Sequence, residues 1–178
     1  MRFAISKVTL QAVAFWLLIA FVSGFSAYLF YRKGKLRKSA FISVPLLALY
    51  LAFTITITVI ERVKTAKAQY NLVLFWSYTA IQNGRIDLRA EIFWNVILFI
   101  PIGILLSLLF SGKFQWFVPI ISFLLSAGIE VTQLLLHRGL FEFDDMFHNT
   151  LGSVIGLLIF IVVRFIAEKI RGRQLRKD

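Results

Sequence analysis

Between Glu130 and Asn149 the chain places Glu130, Gln133, His137, Arg138, Glu142, Asp144, Asp145, His148 and Asn149, with sequence on both sides apolar enough to sit in a bilayer. An ionisable group at membrane depth costs roughly 2.5 to 3.5 kcal/mol on insertion scales, so a cluster there marks a functional site by default. Two chemistries suit these residue types. In the first, Glu130 is a general acid or base, Asp145 its ionised partner and Arg138 a clamp on a substrate phosphate or carboxylate, while Asn95, Gln133 and Asn149 orient the substrate. In the second, the same groups hold a lipid headgroup or merely lock the bundle, and no bond is made or broken. The binding candidates are then Asn71, Asn95, Gln133, Arg138, Asp144 and Asn149.

Spacing places these groups on helix faces. Ser122, Ser126, Glu130, Gln133 and His137 follow one another by four, four, three and four residues, which at 3.6 residues per turn is one stripe. Lipid offers that stripe no partner, so it faces other helices. Asp145, Asn149, Gly152 and Gly156 repeat the pattern at i, i+4, i+7 and i+11; the glycines admit a close neighbour, and Asp145 and Asn149 then meet Glu130 and Gln133. Asp144 or Asp145 also suits the cap of that helix. Asn95, Pro101 and Gly103 sit on a third helix, where the proline frees a carbonyl and bends the axis. Tyr50, Thr54, Thr58 and Glu61 align on a fourth. Ser and Thr in membrane helices also bond their own backbone, which is the plainer reading of each.

Composition describes what surrounds the cluster. The chain has 178 residues, 59% of them hydrophobic, with 16% charged, 19 Phe and a mean hydropathy of +0.80, too apolar for a soluble domain. It has no Cys, which excludes disulfides, thiolate catalysis and thiolate metal sites. His137 and His148 with Asp145 and Glu130 offer nitrogen and oxygen donors, but their spacing matches no metal motif, so neither a metal nor another cofactor is expected. There is no phosphate loop and no nucleophile elbow. Of the net charge of +11, five basic residues lie in Arg32 to Lys38 and five in Lys169 to Lys177, beside apolar spans. That placement reads as membrane orientation and contact with anionic lipid, and not as a nucleic-acid face.

A spanning helix needs about 20 apolar residues, and five stretches approach that length: 8–31, 40–60, 94–110, 116–136 and 148–167. The expected fold is an all-α integral membrane bundle of about five transmembrane helices, with residues 71–81 as an interfacial or re-entrant segment that sets Trp76 and Tyr78 at headgroup depth. The two basic blocks and Lys113 fall on one side, which is then cytoplasmic. The N-terminus, with only Arg2 and Lys7, and the loops 61–93 and 137–147 face outward. The first apolar run, about 24 residues, exceeds a signal peptide's core of about 7 to 15, so it reads as a retained helix. Residues 1–39 form this extra helix and a basic loop, 40–167 the membrane domain and 168–178 a basic tail.

The chain resembles the VanZ-like family of bacterial membrane proteins. The resemblance rests on Asn71-Leu-Val-Leu-Phe75, on Asn95 to Gly103 (NVILFIPIG), on Ile129-Glu130-Val-Thr-Gln133 and on Arg138 to Gly152 (RGLFEFDDMFHNTLG), and it covers about residues 40 to 167. The family pattern has Pro where this chain has Leu74, and Asp where it has Glu142. What the resemblance implies is a multi-pass protein of the bacterial cytoplasmic membrane linked to resistance to the lipoglycopeptide teicoplanin. Its partners would be membrane lipids and a lipid-linked envelope component or the lipoglycopeptide itself.

Overall fold

The computed structural model describes residues 10–110 and 112–174. Arg2, Lys7 and the tail beyond Gln174 lie outside the described residues. Five helices are long and apolar enough to cross a membrane, as the sequence predicts. The first, α1 (Leu10–Arg32), is stopped where Gly34 takes a left-handed φ of +67°, and the Lys35 N–H closes back on the Phe30 carbonyl at 3.0 Å, a glycine C-cap. The second, α2 (Lys38–Ile55), runs on into a π turn, Thr56–Ile60, closed by the Glu61 N–H on Thr56 O at 2.9 Å.

The long connection after α2 is more ordered than an apolar stretch alone suggests. A short strand β1 (Gln69–Asn71) leads to a two-turn helix α3 (Trp76–Gln82), with Phe75 left-handed at φ 64° between them. The next span, α4 (Leu88–Leu109), starts six residues before the expected 94. A hydropathy window stops at the polar Arg89 and Glu91, whereas helical hydrogen bonding does not. A 3₁₀ turn, Gly112–Phe117, precedes α5 (Val118–Leu135), which has Pro119 in its first turn, where a missing N–H is harmless. Strand β2 (Leu140–Glu142) pairs in parallel with β1, Gln69 opposite Leu140 and Asn71 opposite Glu142. The last helix, α6 (Phe143–Gln174), starts at 143 instead of 148, with Asp144 and Asp145 in its first turn, where carboxylates oppose the unpaired amides.

The core is where α2, α4, α5 and α6 meet, around Phe99, Ile102, Leu106, Val118 and Leu157; α1 packs mainly on α2. The closest seam joins α4 to α6. A Cβ on Gly152 would meet the Val96 carbonyl oxygen, one on Gly156 the Ile100 carbonyl, and one on Gly103 the Ser153 carbonyl. Backbone therefore lies against backbone, as small residues in membrane helices permit. Gly152→Ala should destabilise the bundle by about 1 to 3 kcal/mol, the usual range for overpacking. A thermal melt in detergent reads it, and an unchanged midpoint would mean that the seam yields without cost.

Candidate functional site

The buried stripe of α5 follows the spacing: Ser122 and Ser126 are 0% exposed, Glu130 and Gln133 1%. His137 leaves it, because the helix ends at Leu135 and His137 turns left-handed at φ 54°. Its carbonyl accepts the Thr65 N–H at 2.8 Å, so its backbone ties the α2–α4 and α5–α6 connections together.

Four carboxylates gather at the end of the bundle remote from the Arg32–Lys38 loop. Glu130 Oε2 accepts the Glu142 backbone N–H at 3.0 Å, and Glu142 Oε1 accepts the Trp76 indole N–H at 2.8 Å. Asp145 Oδ1 accepts the Asn95 amide at 2.6 Å and is close enough to Glu130 and Glu142 to act on both electrostatically. Arg62, just beyond α2, acts on all three of these carboxylates. Its side chain lies over Gly139, where φ is +94° and a Cβ would strike the guanidinium. The fourth, Asp144, is 1% exposed. Of the two carboxylates the sequence offers as caps of α6, Asp144 or Asp145, the former serves the start of α3: Oδ1 takes the Phe75 N–H, and Oδ2 takes the Ser77 N–H at 2.9 Å together with the Ser77 hydroxyl.

The other candidates are drawn to separate partners. Gln133 donates to the Thr58 carbonyl at 2.8 Å, and Arg138 donates to the carbonyls of Val59, Ile60 and Arg62. These two side chains close the end of α2, whose π turn leaves carbonyls without helical partners. Asn149 donates to Ser126 Oγ at 2.8 Å, one turn inward of Glu130. Asn71 Oδ1 accepts the Val73 N–H at 3.1 Å within the loop, a local turn of the kind Asn favours. Thr58 bonds its own helix at Thr54 O, Tyr50 reaches the Leu98 carbonyl, and Glu61 is exposed. The structure thus brings Glu130, Asp145 and Asn95 together with Glu142 and Arg62. Gln133 and Arg138 belong to the adjoining seam.

Sequence reasoning missed Arg62, Trp76 and Ser77. Arg62 stands one residue after Glu61 in a loop with four other cations, and nothing in its spacing separates it from them. The sequence places Trp76 and Tyr78 at headgroup depth but not their partners: Trp76 bonds Glu142, and Tyr78 OH shares a 2.9 Å hydrogen bond with His148 Nε2. Residues 69–82 therefore form a strap over the carboxylates. The cleft beneath it, lined by Trp76, Ser77, Glu91, Glu142, Asp145 and His148, has about 10 Å³ free, the room of about one water.

Burial pushes the Glu142 carboxyl up to about 8, helped by the negative charge of Asp145 and opposed by the Trp76 N–H and Arg62. From the ordinary 4.5 to about 8 the folded protein keeps a proton that the unfolded chain has released. This contribution to stability is fully present below about 4.5 and is lost as pH rises through about 8. Melting temperature should therefore fall between pH 5 and pH 9, and Glu142→Gln should flatten that fall. An identical slope in the variant would assign the dependence elsewhere.

Residues 41–164 match the sequence model of a family described as VanZ/LLP1. This chain belongs to that family. The match takes in every carboxylate of the site, both strands, helices α3 to α5, α2 from Phe41 and α6 as far as Arg164, and leaves α1 outside it. Among curated proteins the chain is similar to Protein VanZ of Enterococcus faecium, 33% identical over 131 residues that cover 67% of this chain and 73% of the relative. No solved structure matches it. Family membership and the five spanning helices make this a multi-pass membrane protein.

Proposed function

We propose that the carboxylate end of the bundle faces outward from the bacterial cytoplasmic membrane and engages the polar head of a lipid or lipid-linked envelope component, lowering susceptibility to teicoplanin. One observation carries this reading. Glu130, Glu142 and Asp145 share a buried site with Asn95 and Arg62 at one end of an otherwise apolar bundle, an arrangement whose desolvation calls for a functional return. Carboxylates and an amide suit hydroxyl and amide groups of a headgroup, and Arg62 suits its phosphate or carboxylate. The basic loop Arg32–Lys38, at the opposite end, is then cytoplasmic. Reporter fusions at Lys35 and at Glu142 should give opposite signals, and equal signals would remove the orientation.

The approach of Glu130 to Asp145 favours a second reading, in which the pair performs acid–base chemistry on the same lipid-linked substrate. Mass spectrometry of envelope lipids and lipid-linked wall precursors, in cells with and without the protein, separates the two. Binding predicts an unchanged inventory alongside a loss of teicoplanin tolerance in cells lacking the protein. A new or missing species assigns an enzyme. Unchanged tolerance would discard both readings.

A further inference from the structure

A groove of about 510 Å³ runs along the spanning part of the bundle between α1, α2 and α4, walled by Trp16, Leu49, Tyr50, Phe53, Pro101 and Leu105. It has two structural causes. Pro101 lacks the N–H that would continue the α4 ladder, and its ring holds the axis away from a straight course. Helix α1 packs mainly on α2, so the corner between α1 and α4 is left unfilled.

The two polar atoms on these walls are already bonded. The Trp16 indole N–H donates to Thr56 Oγ1 at 3.0 Å, and Tyr50 OH donates to the Leu98 carbonyl at 3.0 Å. The groove therefore presents carbon along the apolar spans. Size chooses between the apolar occupants that remain. Three turns of a second helix would need roughly 1,300 Å³ at a diameter of about 10 Å, far more than is present. A single lipid chain is thinner and flexible, and needs far less room than a helix.

Charge chooses the lipid. Phe53, at the far end, is 15 residues from Lys38, about 22 Å along the helix, within reach of a chain anchored at the basic loop. Arg32, Lys33, Lys35, Arg37 and Lys38 are all exposed on that loop, which favours an anionic headgroup. We propose that this groove holds one acyl chain of an anionic phospholipid, from the leaflet beside the Arg32–Lys38 loop, with its phosphate on that loop. Helix α1, outside the region matched by the family, supplies the third wall. The proposal is independent of what the carboxylate end binds.

Native mass spectrometry of the full chain in mild detergent, after exposure to vesicles of equal phosphatidylglycerol and phosphatidylcholine, tests it. One retained phosphatidylglycerol per protein is expected. Leu49→Trp and Leu105→Trp fill the groove from different helices, and each should lower retention at least tenfold while leaving the thermal melt in place; if one fails to fold, the other decides. Equal retention by the filled variants would identify ordinary surrounding lipid and overturn the proposal. So would phosphatidylcholine held as well as phosphatidylglycerol, a prenyl chain in its place, or a lipid-free second copy of the chain.

Discussion

Replacing Asp144 by Ala is expected to release the strap at residues 69–82 while the five spanning helices stay assembled. One carboxylate accepts two backbone N–H groups, of Phe75 and Ser77, and the Ser77 hydroxyl. A buried donor left without an acceptor costs about 1 to 3 kcal/mol, so losing all three partners removes several kcal/mol from this segment. Phe75 adds to the loss, since a non-glycine residue held left-handed persists only while its surroundings enforce it. Amide exchange at Ser77 should accelerate by two orders of magnitude or more, and Leu72 to Phe75 should become cleavable by added protease. Asp144→Asn keeps an acceptor oxygen and should lose less. Unchanged exchange in the alanine variant would mean that β1–β2 pairing and the Trp76–Glu142 bond hold the strap unaided.

The second large effect separates binding from catalysis. Glu130→Ala deletes the acceptor of the Glu142 N–H and leaves a void beside Asp145, so protection against teicoplanin should be lost. Glu130→Gln retains an oxygen for that N–H and the same volume, and removes only ionisation. If the site binds, the glutamine variant should protect within a few-fold of the parent, at equal abundance in the membrane. A loss in the range of about 10² to 10⁴ would be that of a proton-transfer group, and it would replace the binding reading by the acid–base one.

What was legible in the sequence is what periodicity controls. Ser122, Ser126, Glu130 and Gln133 are buried together because a helix with lipid on one side must turn its polar face to its neighbours. Gly152 and Gly156 meet a backbone for the same reason, although that backbone belongs to α4. What was not legible depends on contacts between distant residues. Gln69 pairs with Leu140 across 71 positions, and three-residue strands leave no pattern to read. Arg138 reads as a clamp until the π turn after α2 and the residue Arg62 beyond it are seen to offer it three carbonyls. Asp144 reads as the cap of its own helix because the donors that claim it lie 67 and 69 residues away.

The partnership of α4 with α6 sets the order in which the molecule can be completed. Synthesis delivers helices from the N-terminus, so α4 enters the bilayer before α5 and α6 exist, with its Gly103 face turned to lipid and no backbone to receive. Asp144, which fastens the strap, arrives only with the first turn of α6. Every carboxylate of the site but Glu130 emerges after α5, so the acidic end is the last part of the chain to mature. A ribosome halted before α6 would leave a nascent protein with four spans and no fastened strap. Such an intermediate offers a quality-control protease its clearest target, and slow delivery of α6 would register as turnover of newly made chains well before it registered as lost function.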